Sequence, residues 1–384
     1  MNVSVESVVP DKGPQGLESF DESPEYNGKG RRILGIVLLN ALITPLTLGF
    51  YRFWGKTKLR RYVWNAIRFR GDPFEYTGRG MELLIGFIIA TVVLAVLYGA
   101  YALVVWAWLR GVDKAVWQPV ASVVFGAVFL FLIHYATFRA RRYQLSRTLW
   151  RGIRFGQTGS AWRYAARAFG WVVLRVLTLN LIAPWAAAAL QRYRIEHSWI
   201  GGSKLSFDAK GGPLFWRWVG TWLLFVPTLG LSYAWYIARQ FRHFAHHTRL
   251  NNIAFESNLR GRDVVFIYLP YFVLLLVLLI AITGVTASVF RGITPTNAQD
   301  PTALFATILQ NGWPQIVGAL VLWSIAGRVL AAYFLVHRQF RLSCRTLRIY
   351  GAADFSAIAQ TARDNPRFGE GLADALDIGG VGGV

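Results

Sequence analysis

Apolar residues in this chain come in blocks of two kinds. Met81–Leu109, Val120–Phe138, Val264–Phe290 and Ile316–Val336 are near-continuous apolar runs. A hydrocarbon core roughly 30 Å thick needs about 20 such residues per helical crossing, so these runs predict transmembrane helices. Ile33–Tyr51, Phe169–Leu190 and Leu214–Ile237 are instead interrupted, at Pro45, Pro184 and Pro227. Proline removes a backbone donor and clashes with the preceding turn, which predicts helices that kink or stop there. Two of the breaks read alike, running Pro45-Leu46-Thr47-Leu48-Gly49 and Pro227-Thr228-Leu229-Gly230.

Between the blocks lie short stretches of alternating polar and apolar residues: Ile67–Tyr76, Ile153–Tyr164, Lys204–Asp208, Ile253–Ser257 and Leu347–Phe355. Period-two alternation bounded by glycine predicts strands. Such stretches either pair into a small cytoplasmic sheet against the helix ends or remain separate interfacial loops. The fold class is thus an α-helical polytopic membrane protein. Its pseudo-repeated units are proline-broken helical hairpins, re-entrant or interfacial, and transmembrane helix pairs, joined by short cytoplasmic β-strands.

Charge bears on how the blocks are arranged. The chain carries a net +21, yet residues 1–30 hold six acids against Lys12 and Lys29, and residues 363–384 hold four acids against Arg363 and Arg367. The body between them is therefore more basic than the whole. In a soluble protein that excess would point to nucleic acid; in a membrane protein it reads orientation and anionic lipid, so the partners expected are the bilayer and anionic phospholipid headgroups, with no nucleic acid. Lys and Arg number 8 in 52–79, 8 in 139–167, 5 in 192–217, 5 in 239–262 and 6 in 338–367, against 2 in 110–119 and 1 in 291–313. If only the four uninterrupted runs cross and the proline-broken blocks enter and leave on one side, every rich cluster and both termini are cytoplasmic. That solution satisfies the positive-inside rule throughout. Ordinary proline-kinked crossings are the alternative.

Two echoes suggest internal repetition. Leu39-Asn40-Ala41-Leu42-Ile43-Thr44-Pro45 resembles Leu179-Asn180-Leu181-Ile182-Ala183-Pro184, and Arg142-Tyr143-Gln144-Leu145-Ser146-Arg147-Thr148-Leu149 resembles Phe340-Arg341-Leu342-Ser343-Cys344-Arg345-Thr346-Leu347. The chain divides accordingly into an acidic, disordered tail (1–30), a first membrane repeat (31–165), an extra broken hairpin and strand (166–213), a second membrane repeat (214–362) and an acidic, glycine-rich tail (363–384).

The run Thr47-Leu48-Gly49-Phe50-Tyr51-Arg52-Phe53-Trp54-Gly55-Lys56, followed by Arg60-Arg61-Tyr62-Val63-Trp64, Phe74-Glu75-Tyr76-Thr77-Gly78 and Glu82-Leu83, resembles the YjgN-like family of bacterial inner-membrane proteins. Gly369-Glu370-Gly371-Leu372-Ala373-Asp374-Ala375 is similar to that family's closing motif, and the resemblance covers residues 31–377. It implies a multi-pass protein of the inner (cytoplasmic) membrane. It implies no biochemical activity, and it supplies no functional residues.

Candidate sites come from the residues themselves. The basic and aromatic stretch after the first break, with Lys56, Lys58, Arg60 and Arg61, and the helix ends with Arg141, Arg142, Arg341 and Arg345 suit the headgroup layer, as interfacial anchors or as an anionic lipid site. Arg175 and Arg328 lie within apolar stretches, where a charge needs a partner. With Asn40 and Asn180 they are candidates for a polar pathway beside the helix breaks Pro45, Gly49, Pro184, Pro227 and Gly230. The alternative for the arginines is that they snorkel or pair with backbone carbonyls. His243, His246 and His247 share a helix with Arg239, Arg242 and Arg249, which argues against a metal. Glu82 is placed to pair with Arg79.

Cys344 is the only cysteine, which leaves no disulfide framework or cysteine zinc site, and no phosphate-binding loop, His-Glu-x-x-His or Gly-x-Ser-x-Gly motif is present. No cofactor, metal or catalysis is expected. Two functions fit: a channel or transporter-like protein for an anionic or amphiphilic solute or lipid, or a non-transporting scaffold that binds anionic lipids and cytoplasmic partners. Self-association as a homo-oligomer is left open.

Overall fold

The computed structural model describes residues 18–108, 114–290 and 313–353. The closing motif at Gly369–Ala375, the C-terminal tail, residues 110–113 of the first poor loop and 291–312 of the second lie outside them. The chain begins with strands β1 (Glu18–Glu22) and β2 (Glu25–Tyr26), then helices α1 (Gly30–Leu46) and α2 (Arg52–Ala66) and strands β3 (Ile67–Phe69) and β4 (Asp72–Tyr76). Next come α3 (Gly80–Trp108), α4 (Lys114–Ser146), β5 (Thr148–Trp150) and β6 (Ile153–Gln157). A third pair, α5 (Ala161–Leu177) and α6 (Ala183–Glu196), leads to β7 (Ser198–Ile200) and β8 (Ser203–Phe207). A fourth, α7 (Phe215–Leu224) and α8 (Ser232–His246), leads to β9 (Thr248–Leu250) and β10 (Ile253–Ser257). The last pair is α9 (Gly261–Phe290) and α10 (Trp313–Ala331), which runs through a π-helical stretch (Ala332–Arg338) into α11 (Gln339–Thr346) and ends in β11 (Leu347–Ala353). Among the described residues the helices thus come as five pairs, each followed by one or two strands.

The eleven strands among the described residues form one antiparallel sheet, in the order β1-β11-β10-β9-β8-β7-β6-β5-β4-β3-β2. The two ends of that order, β1 and β2, are separated in the chain only by Ser23 and Pro24. Phe20 of β1 meets Phe69 of β3 edge to face with ring centroids 6.2 Å apart, and Arg70 Nε lies 3.4 Å from Glu22. The sheet is therefore closed into a barrel. Glu18–Tyr26, expected within a disordered tail, is instead the segment that closes it: its acids pair with basic neighbours, Asp21 with Arg348 at 2.6 Å and Glu22 with Arg70.

Alternation places one residue in two of each strand inside. Phe20, Phe69, Trp150, Leu250 and Ile253 form a buried cluster with Phe74, Phe155, Ile200, Leu205, Phe255 and Ile349 packed against it, so the barrel interior is a filled apolar core. Two-residue turns join the strand pairs, with Arg70, Arg151, Gly201 and Asn251 in the left-handed region (φ 50–55°), as the right-handed twist of a tight hairpin requires.

Because the strands share one sheet, every helical pair leaves that sheet and returns to it. The pairs differ in reach. At 1.5 Å per residue, the 17 residues of α1 or α5 extend roughly 25 Å, while the 29 of α3 extend roughly 43 Å. Among the described residues four helices, Gly80–Trp106, Trp117–Ser146, Gly261–Gly284 and Ile316–Thr346, are long and apolar enough to cross a membrane. They coincide with the four uninterrupted runs.

Neighbouring pairs interlock at glycines. A Cβ at Gly80 or Gly261, at the start of a pair, would lie 2.9 Å from Trp54 or 2.6 Å from Trp235 of the pair before, and one at Gly211 would lie 2.6 Å from the backbone of Trp185. At the other end of the ring, α1 packs on α10 and the π-helical stretch, with Ile33, Val37, Leu59, Val63, Ala332 and Val336 forming one buried cluster.

Candidate functional site

The three short pairs turn over in the same way. Thr47-Leu48-Gly49, Thr178-Leu179-Asn180 and Thr228-Leu229-Gly230 each place their second and third residues in the left-handed region. In each, the amide of the third residue donates to a carbonyl five residues back: Gly49 to Thr44 at 2.8 Å, Asn180 to Arg175 at 2.5 Å, Gly230 to Phe225 at 2.6 Å. In each, the threonine hydroxyl bonds to the carbonyl four residues back. Asparagine tolerates this backbone where glycine is absent.

This alignment corrects the sequence echo, which matched Asn40 with Asn180. Asn40 lies inside α1 against Gly55, whereas Asn180 sits in a turn, and the Thr-Leu-Gly equivalent of the middle pair precedes Pro184 instead of following it. Pro45 is tolerated in the last turn of α1 and Pro184 in the first turn of α6, while Pro227 lies between α7 and α8. The leucines at these tips project outward, Leu48 being 89% exposed, Leu179 71% and Leu229 93%. An apolar tip left this bare is suited to hydrocarbon.

The four candidate pathway residues separate into two places. Arg175 Nε donates to Asn180 Oδ1 at 2.7 Å across the tip of the third pair, and the Asn180 carbonyl accepts from Trp218 Nε1 of the fourth at 2.8 Å. Arg328 instead lines a groove between α10 and the tip of the first pair, beside Thr44, Pro45 and Gly49. Asn40 Oδ1 is buried without a hydrogen-bond partner among the described residues.

The basic residues follow the ring. Arg61, Arg142, Arg192, Arg242 and Arg341 each stand six residues before the first residue of β3, β5, β7, β9 or β11. Arg192 escaped the sequence reading and Arg242 entered it only as a neighbour of the histidines; counting back from each strand start places both in the series. Arg61 Nη2 reaches the Gly78 carbonyl at 3.5 Å and Arg192 Nη2 the Ala209 carbonyl at 2.9 Å, so these two tie the returning helix to the turn that starts the next pair. One residue further along, Tyr62 and Tyr193 accept the amides of Lys29 and Ser160 at 2.9 and 3.1 Å. Lys58, Arg61, Arg341 and Arg345 are exposed, Lys56, Arg141 and Arg142 half-buried. Arg60 is fully buried, donating to the Tyr76 hydroxyl at 3.2 Å, so it faces protein and not a headgroup.

Glu82, His243 and His247 are engaged internally. Glu82 accepts from the Tyr143 hydroxyl at 2.7 Å and pairs with Arg147 at 2.9 Å, in place of the expected Arg79. His243 donates through Nε2 to the Lys210 carbonyl at 2.9 Å, and His247 Nδ1 bonds to the His243 carbonyl at 2.8 Å. Burial pushes His243 below the usual histidine range, opposed in part by the Lys210 bond.

A family profile described as a bacterial protein of unknown function, DUF898, matches residues 22–234 and 223–375. The inner membrane protein YjgN of Salmonella typhimurium is 26% identical over 160 residues, 41% of this chain and 36% of that protein. Its namesake in Escherichia coli K12 is 24% identical over 147 residues, 38% of this chain and 32% of that protein. The matched stretches thus span about a third of these relatives' length. No solved structure matches.

Proposed function

The chain belongs to the DUF898 family of bacterial proteins, and from that premise we propose that it is a scaffold of the inner membrane, one that holds a closed β-barrel at the cytoplasmic face and binds anionic lipid headgroups around it. The filled barrel carries this reading. A conduit along the ring axis would end against Phe20, Phe69, Trp150 and Phe155, packed apolar groups that offer no solute a hydration shell. In this arrangement four helices cross, the three short pairs dip into the cytoplasmic leaflet with their leucine tips, and the exposed cations lie where the helices meet headgroups.

Orientation is tested with single cysteines in a Cys344→Ser background. Glu75→Cys and Lys204→Cys, both exposed on the sheet, are expected to react with an impermeant thiol reagent only in inverted vesicles, and Thr302→Cys only in intact cells. Labelling of the sheet positions from outside would reverse the assignment.

The scaffold reading is tested with Lys58, Arg61, Arg341 and Arg345 all changed to Gln. Each basic residue near an anionic surface is worth about 1 kcal/mol, so retention of phosphatidylglycerol in native mass spectrometry should fall at least about tenfold. Wild-type protein in vesicles should pass no anions. Flux that survives detergent-free controls, with lipid retention unchanged in the variant, would overturn the scaffold in favour of transport.

A further inference from the structure

The groove between the first helical pair and α10 has a volume of about 300 Å³. One wall is Thr44, Pro45 and Gly49 at the tip of α1; the other is Leu320, Ser324 and Arg328 on α10. Ser324 and Arg328 are four residues apart on one helix, so they share a face. Both are exposed, and neither makes a hydrogen bond or ion pair with the described residues. Thr44 is already spent, its hydroxyl donating to the Asn40 carbonyl at 2.6 Å. A guanidinium fork and a free hydroxyl thus face an apolar groove inside the segment Ile316–Thr346, one of the four long enough to cross a membrane.

A charge at that depth is unfavourable without a counter-ion, and among the described residues no acid lines the groove to supply one. We propose that the groove is a binding site for one anionic phospholipid, whose phosphodiester accepts from Arg328 and Ser324 and whose acyl chain lies along Leu320 and Val317. The geometry fixes the direction. Arg328 is at the end of the groove nearer the barrel and Val317 at the far end, so head and tail point as they do in the leaflet on the sheet side. The bidentate fork of arginine matches two phosphate oxygens, which a lysine would not. This site is separate from the exposed cations at the helix ends and does not depend on them.

The test is native mass spectrometry of the full chain with phosphatidylglycerol, phosphatidylcholine or palmitate, released by stepwise activation. Wild type should hold a single phosphatidylglycerol after the peripheral lipid has left. Arg328→Gln should weaken that last lipid at least tenfold and Ser324→Ala several-fold, while the quadruple helix-end variant should keep it. Leu320→Trp, which fills the groove and leaves the charge, should also lose it, and serves if Arg328→Gln fails to fold. Equal retention in wild type and Arg328→Gln overturns the proposal, as does a last ligand that is phosphatidylcholine or palmitate in preference to phosphatidylglycerol.

Discussion

Deleting the chain through Tyr26 opens the barrel: amides of β11 and β3 that face the missing strands should exchange with solvent about a hundredfold faster, and the protein should associate through its new edges. The expectation rests on what β1 and β2 do. Glu18–Glu22 pairs with Ile349–Ala353 along its length, and Glu25 and Tyr26 pair with Arg68 and Ile67. Removing them leaves two sheet edges with unpaired donors and acceptors, and exposes Phe69 and Ile349 where Phe20 had covered the core. Hydrogen exchange by mass spectrometry in detergent, with size-exclusion chromatography, reads both effects. Unchanged protection of β3 and β11 would mean that the sheet is stable open and that the N-terminal strands are accessory.

Replacing Trp150 by alanine should cost about 3–5 kcal/mol, the range for truncating a large buried aromatic. Trp150 is 4% exposed, its ring centroid lies 5.5 Å from that of Phe69 and 6.4 Å from that of Phe74, and its Nε1 donates to the Phe69 carbonyl at 3.3 Å. The substitution therefore leaves a cavity and removes one donor from the Phe69 carbonyl, inside strands too short to close over the gap. Trp216, 78% exposed, is the control, with an expected change within about 0.5 kcal/mol. Equilibrium unfolding in mixed micelles measures both. A loss below about 1 kcal/mol at Trp150 would show that the helices alone hold the ring together.

What the sequence disclosed depended on the length of the signal. Runs such as Val264–Phe290 are legible because few soluble elements need so many consecutive apolar residues. The stretch Ile67–Tyr76 was legible as extended chain but not as two strands, since Arg70-Gly71 makes the turn within only two residues. Thr148–Trp150, Ser198–Ile200 and Thr248–Leu250 were missed because each is three residues long and abuts a helix end, where it carries no period of its own. Glu18–Tyr26 was missed for the opposite reason: its acids look like a solvated tail until Arg70 and Arg348 are brought beside them by residues far along the chain. Among the candidate sites, Arg60 misled because a row of adjacent cations gives no sign of which one turns inward, and the fully buried member is settled only by the Tyr76 hydroxyl. Arg175 was read as a charge in need of a partner, with Asn40 and Asn180 as candidate neighbours, and it is Asn180, five residues along, that accepts its Nε hydrogen.

Each helical pair starts and finishes at the sheet, and this has a bearing on how such a chain can change over time. In most polytopic proteins, gaining or losing one crossing inverts everything downstream, so only even changes survive. Here a short pair and a long pair are interchangeable in that respect: the pair that sets out with 17-residue α5 and the pair that sets out with 30-residue α9 both bring the chain back to a strand of the same sheet. A pair can be lengthened, shortened or duplicated whole, and the chain still resumes at the sheet.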